Sequence, residues 1–290
     1  RRQRQMCIRD SNTISKILGG NTNINRLTAA YIQSKFLETG KDPGTLNEHL
    51  TRLKALLRWG YRHDLLESID FLNKLDHFND VPHRVKIEDK FMESSEIFVL
   101  LKEMRVDAWK DLTQFLVLSG LRFGEAAALT FNDIDIKQRT IHINKNYDYI
   151  NNVTTSTKTT TSERDIYMQD ELVPLCRKLR AASFSTFTLQ SMNTQKLLFC
   201  NSKGEHVNYY SYNKYLRENT LKVLGKEYTA HSLRHTHASL LLEQGIDVES
   251  ISRRLGHSDS AVTREIYLHI TRKKQEQENL KIKELKLIVQ

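Results

Sequence analysis

Cysteine is scarce: Cys7, Cys176 and Cys200 are the only three in 290 residues. They are odd in number and lack a C-x-x-C spacing, so neither a disulfide framework nor a zinc site is indicated, and reduced thiols in a cytosol are the expectation. No uninterrupted apolar run approaches a membrane span, and the N-terminus has no apolar signal core, which predicts a soluble, cytoplasmic protein with no membrane partner. No internal repeat or long low-complexity tract is visible. Acidic side chains are the minority, 35 against 44 Lys plus Arg, for a net charge of +9 and a pI near 9.3. That excess suits a nucleic-acid binder, or an anionic surface. The length allows a full core and predicts two domains.

The most informative stretch runs from His231 to Tyr267. His231 and Arg234 are three apart and share a helix face. Gly245 follows the apolar run Leu240-Leu241-Leu242 as a helix stop. Asp247 caps a second helix that runs to Gly256 and leaves His257 just past its end. Ser258 or Ser260 caps a third helix that carries Tyr267. Short helices joined by tight turns bring His, Arg, His and Tyr to one side of a bundle, a grouping suited to a phosphate.

Two further residue sets complete a pattern with H-x-x-R-H, L-G-H-S and the tyrosine ten residues after that histidine: Gly120-Leu121-Arg122-Phe123-Gly124-Glu125 upstream, and Lys158-Thr159-Thr160-Thr161-Ser162-Glu163-Arg164 between them. Together they resemble the tyrosine recombinases of phages and integrative elements. The resemblance implies a mainly α fold with a small β-sheet (α+β), made of a helical core-binding domain and a catalytic domain.

Along the chain, residues 1–10 are basic, match no family element and are expected to be non-native or disordered. Residues 11–78 read as a partial helical core DNA-binding domain without its first helix or any arm-binding domain, so an N-terminal truncation is expected. Within it Gly40 to Gly44, with Pro43, reads as a break, and Leu46, Leu50, Leu53 and Leu57 form a buried stripe. Lys54, Arg58 and Arg62 step by four along another face, read either as a solvated basic face or as a DNA-backbone contact. Residues 79–90 read as a linker and 91–271 as the catalytic domain. In that domain Met92–Glu103, Trp109–Ser119, Phe123–Leu129, Glu171–Ala182 and Tyr209–Leu224 are expected helices. Thr140–Tyr149, Arg164–Met168 and Lys196–Cys200 are expected strands, with Asn151–Thr161 a polar turn that places Lys158 near a hairpin tip. Residues 272–290 are a charged tail ending in Leu280, Ile282, Leu285, Leu287, Ile288 and Val289, suited to docking in cis or in trans.

The resemblance assigns roles that suit the chemistry of each residue type. Tyr267 is the nucleophile, because a phenol leaves readily enough to make its DNA phosphodiester reversible. Arg122 and Arg234 neutralise phosphate oxygens. Lys158 is the general acid, His231 a proton acceptor or phosphate donor, and His257 a second hydrogen-bond donor. Glu125 supports Arg122, with a purely structural Arg122–Glu125 pair as the bland alternative. The histidines at 231, 235 and 237 invite a metal, but no H-E-x-x-H, cysteine pair or third ligand accompanies them, so no metal and no cofactor are expected. His235 and His237 read as structural.

The expected partners are double-stranded DNA at element ends and target site, further copies of the chain in a tetrameric synapse, and an accessory excision or bending factor. A bacterial, phage or mobile-element origin is implied. A type IB topoisomerase-like enzyme and a catalytically silent DNA-binding regulator are the alternatives.

Overall fold

The computed structural model describes residues 12–24, 27–79, 91–156, 163–185, 193–256 and 283, and of 182–185 the backbone only. The first ten residues, Lys158, His257, Tyr267, the tail residues other than 283 and nearly all of the expected linker lie outside these. The chain divides into two compact units, Arg1–His83 and Arg84–Gln290. Among the described residues no helix is long and apolar enough to cross a membrane.

The first unit is helical: α1 (12–18), α2 (Ala29–Leu37), α3 (Pro43–Arg62) and a 3-10 turn, Asp70–Lys74. The expected break at Gly40–Gly44 is shorter than that, because α3 already starts at Pro43. Asp42 accepts from the Thr45 backbone N–H at 3.0 Å, and proline suits a first helical position whose N–H has no partner anyway. The expected stripe Leu46, Leu50, Leu53 and Leu57 is buried against Ile14, Leu18, Ile32 and Phe36. Each such side chain stabilises the unit by roughly 1.5–3 kcal/mol relative to exposure.

The second unit packs helices around two small antiparallel sheets. Its elements are α4 (Ser94–Glu103), α5 (Asp107–Ser119), α6 (Phe123–Ala128), β1 (Ile134–Asp135), β2 (Thr140–Ile143), β3 (Lys145–Asp148), β4 (Val153–Ser156), β5 (Arg164–Tyr167), α7 (Leu172–Ser185), α8 (Tyr209–Leu224), α9 (Ala230–Glu243) and α10 (Val248–Leu255). One sheet has the order β1-β2-β5, with Ile141 opposite Ile166 and Ile143 opposite Arg164; the other is the hairpin β3-β4. The mainly α fold with small sheets is as expected.

Three strand expectations are corrected. Thr140–Tyr149 is two strands in two sheets, because the in-out alternation of Ile141 and Ile143 fails beyond Asn144, where Tyr147 and Asp148 are buried side by side. Asn151–Thr161 is not all turn: Val153–Ser156 pairs with β3, its threonines suiting a strand exposed to solvent. Lys196–Cys200 forms only isolated bridges, Thr130 to Leu197 and Cys200 to His206. Leu197, Leu198 and Phe199 are all buried, so the run has no free face, and the Asn193 amide takes both backbone groups of Leu197 at 2.8 and 2.9 Å.

Two contacts set the frame for the site. α9 packs along α5, with the His237 ring Nδ1 on the Val117 carbonyl at 2.7 Å. Gly120 ends α5 at φ +69°, and a Cβ there would lie 2.3 Å from His237 Cδ2, so both backbone conformation and space require glycine.

Candidate active site

Arg122 stands at the N-cap of α6, one residue past the turn at Leu121. Glu125, three residues on, reaches back: the Arg122 backbone N–H donates to its Oε2 at 3.0 Å and the guanidinium Nη1 to Oε1 at 2.8 Å. This is the reciprocal half of a capping box, and it fixes Arg122 at both ends. The Arg122 side chain is 39% exposed, whereas that of Glu125 is 4% exposed. The Arg122–Glu125 pair is therefore present, and it leaves part of the arginine exposed.

Glu125 gathers two more arginines. Arg164 forks onto it, Nη1 to Oε1 at 3.3 Å and Nη2 to Oε2 at 3.0 Å, and Arg234 Nη1 lies 3.9 Å from Oε2. Burial pushes the Glu125 carboxyl up, but Arg164, Arg234 and Arg122 together hold it below the usual carboxylate range. One negative charge therefore faces three guanidinium groups, and the centre keeps a positive surplus suited to an anion.

Arg234 sits in α9, buried, with Nη1 on the Gly120 carbonyl at 2.8 Å and Nη2 on the Leu255 carbonyl. Burial and then Arg122 lower its pKa to about 9, while Glu125 opposes them, so it is charged at neutral pH. His231, one turn earlier, lies at the exposed start of α9, its ring edge-on to His235 at 4.7 Å. Partial burial, then Arg234 and Arg122, push its pKa below the ordinary imidazole value. That direction favours the neutral ring, the form able to take a proton.

The structure brings Arg122, Glu125, His231 and Arg234 together from α6 and α9. Lys158, His257 and Tyr267 lie outside the described residues, although Asp247 caps α10 and Gly256 ends it immediately before His257, as expected. Among the described residues, no group of His, Cys, Asp and Glu is placed to hold a metal. Lys54, Arg58 and Arg62 belong to the other unit. Arg58 and Arg62 are exposed, but the Lys54 ammonium is bound to the Leu75 carbonyl.

Two arginines escaped the sequence reading of the site. Arg164 was visible only as the last letter of its motif. Arg254 bridges α10 to the neighbouring elements, Nε to His237 Nε2 at 3.0 Å and Nη1 to the Tyr167 carbonyl at 2.8 Å. A basic residue beside a glycine-stopped helix end is a common solvated feature, so nothing local marked it out.

Residues 90–274 match the phage integrase family. The chain belongs to that family. It is a tyrosine recombinase of the integrase type, an enzyme that cleaves and rejoins DNA in the site-specific recombination of mobile elements. It is 24% identical over 300 residues to the integrase of Staphylococcus phage L54a, across 94% of this chain and 84% of that one. It is 28% identical over 199 residues to the prophage ps2 probable integrase of Lactococcus lactis, across 64% of this chain, and spans about half (52%) of that protein. Among solved structures, the Tn1549 transposon integrase (residues 82–397) in complex with transposon right end DNA superposes with a TM-score of 0.71 at 19% identity, covering 92% of each chain.

Proposed function

We propose that this recombinase cuts double-stranded DNA at element ends and target sites through a 3′-phosphotyrosine on Tyr267, with neither metal nor ATP. The observation that supports the reading is the Glu125 centre, which holds Arg122 and Arg234 as fixed positive charge beside His231. The Tyr267 phenol oxygen attacks phosphorus and gives its proton to His231. Arg122 and Arg234 take the charge of the two non-bridging oxygens, and His257 adds a hydrogen bond. The bond from phosphorus to the 5′ oxygen breaks, and that oxygen takes a proton from Lys158. Attack of a 5′ hydroxyl on the phosphotyrosine reverses these steps and rejoins a strand, so the phosphodiester energy is conserved.

The same proposal covers the assembly. Residues 11–78 bind the core site, with Arg58 and Arg62 on DNA phosphates. Four protomers hold two duplexes, the 272–290 tail docks on a neighbouring protomer, and an accessory excision or bending factor directs the outcome. Self-association of this kind separates the reading from a topoisomerase acting on a single duplex.

A nicked suicide substrate tests the chemistry. Assayed in EDTA, the parent should form a covalent protein–DNA adduct and Tyr267→Phe should form none while binding DNA with nearly the parent affinity, because only the attacking oxygen is removed. Adduct formed by Tyr267→Phe, or a parent that needs added magnesium or zinc, would overturn the proposal.

A further inference from the structure

We propose that Arg164 is a positioning residue for DNA cleavage: its guanidinium, forked on Glu125 and bonded to the backbone at the end of α10, sets the geometry of Arg122 and ties it to the turn that leads into His257. The inference rests on the catalytic roles proposed above and adds to them a residue outside the set of six.

The geometry begins with the backbone. Arg164 is the first residue of β5, held opposite Ile143 of β2, so its Cα is fixed by the sheet. Its side chain is 8% exposed and points inward, which leaves it no face for a DNA phosphate. Among the described residues its donors reach Glu125 and the end of α10. Nη1 and Nη2 clasp both oxygens of Glu125, and Nε donates to the Arg254 carbonyl at 2.7 Å. The neighbouring carbonyl, Leu255, accepts from Arg234. Two successive carbonyls at the negative end of α10 are thus held by two arginines that both flank Glu125. Gly256 completes the fit: at φ +65°, a Cβ there would lie 2.9 Å from Arg164 Nη1. The helix end is therefore pressed against the guanidinium with no room for a side chain.

The consequence for the site is geometric. A carboxylate rotates about its terminal bond unless something fixes its plane. Arg164 fixes that plane from the buried side and so presents Oε1 to the Arg122 guanidinium and Oε2 to the Arg122 backbone N–H. The same guanidinium holds the backbone two residues before Gly256, whose successor is His257, and it closes the sequence motif that contains Lys158. Lysine in its place would supply a charge but not a planar fork with a third donor at Nε.

Single-turnover cleavage with saturating enzyme tests the idea, using the full chain with Arg164→Lys and Arg164→Gln and thermal unfolding as the control for folding. Both variants should cleave about 100-fold more slowly than the parent, the size of loss that a displacement of about 1 Å produces, with DNA affinity changed less than about threefold. The discriminating readout is a scissile methylphosphonate, which carries no charge on its non-bridging positions. A displaced Arg122 matters less there, so the deficit should shrink to about tenfold or less. An equal deficit on phosphate and methylphosphonate would mean generic damage and overturn the inference, as would a folded Arg164→Lys that cleaves at the parent rate. If Arg164→Gln does not fold, Arg164→Lys, which keeps the charge beside Glu125, decides alone. The parent is assayed alongside for adduct on Tyr267. Failure of that adduct sinks the proposed function, whereas a normal adduct with an unaffected Arg164→Lys sinks only the inference.

Discussion

On α3, Arg58 and Arg62 stand in solvent, while in the unit Arg84–Gln290 the side chains of Arg164 and Arg234 are 8% and 1% exposed and bonded to Glu125, Gly120, Arg254 and Leu255. Both groups are basic, yet they are built for different work. An exposed arginine is screened within about 8–10 Å at physiological salt, moves freely, and adds affinity by displacing counterions from DNA. A buried one costs desolvation energy, offset here by Glu125 and the backbone carbonyls, and in return its charge is fixed in place and poorly screened. Affinity needs the first kind. A transition state, in which charge develops at one phosphorus, needs the second.

The comparison breaks most sharply at Arg234. Arg234→Ala should slow single-turnover cleavage by about 100- to 1000-fold, as the loss of one preorganised donor does. It should also destabilise the unit by about 3–5 kcal/mol, because Glu125 and two carbonyls lose a buried partner. Arg58→Ala should do neither. Cleavage kinetics and denaturant unfolding on the two variants check this, and equal losses would erase the distinction between the regions.

Acid sharpens the comparison through His237. Burial, then the Arg254 charge, lower its pKa from 6.5 to about 3, with Nδ1–H on the Val117 carbonyl and Nε2 accepting from Arg254. Between these two values the unfolded chain takes up a proton that the folded chain refuses. The unit is therefore fully supported by this group above pH 6.5 and loses stability as the pH falls toward 3, by up to about 1.4 kcal/mol per pH unit. Unfolding midpoints at pH 7 and 4.5 measure the slope. His237→Asn should be less stable at pH 7 and should lose less on acidification; an unchanged slope in that variant would assign the acid sensitivity elsewhere.

What the sequence disclosed follows from the range of the forces. Helix ends were legible because their signals are local: Gly120, Gly245, Gly256, Asp247 and the Leu46–Leu57 stripe each act within a turn or two. The sheet was legible only where alternation held, at Ile141 and Ile143, and not at β4, whose run Val153–Ser156 carries no alternation of buried and exposed residues. Of the site, Arg122, Glu125, His231 and Arg234 could be named through motif resemblance, and the structure does bring them together. That Glu125 is shared by three arginines could not be read, since Arg164 meets it across 39 residues and Arg234 across more than 100. Nor could sequence spacing show that Lys54, in step with Arg58 and Arg62, is turned toward Leu75.

That last difference carries the smallest expected effect and divides the basic stripe itself. Arg58→Glu with Arg62→Glu should weaken DNA binding by about tenfold at moderate salt and leave the cleavage rate at saturating enzyme unchanged. The slope of log affinity against log salt should fall by about 0.9 for each DNA phosphate that is no longer neutralised. Lys54→Met keeps much of the aliphatic stem but removes the ammonium that serves the Leu75 carbonyl at the end of the 3-10 turn. It should therefore destabilise the first unit by about 1 kcal/mol, the value of one hydrogen bond to a charged donor at a partly exposed site, with no change in the salt slope. Salt titrations of binding and urea unfolding of the same proteins separate the two roles. If Lys54→Met flattens the salt slope as each arginine change does, its ammonium reaches DNA after all and the stripe of three acts as one surface; if the slope holds while stability drops, only Arg58 and Arg62 belong to it.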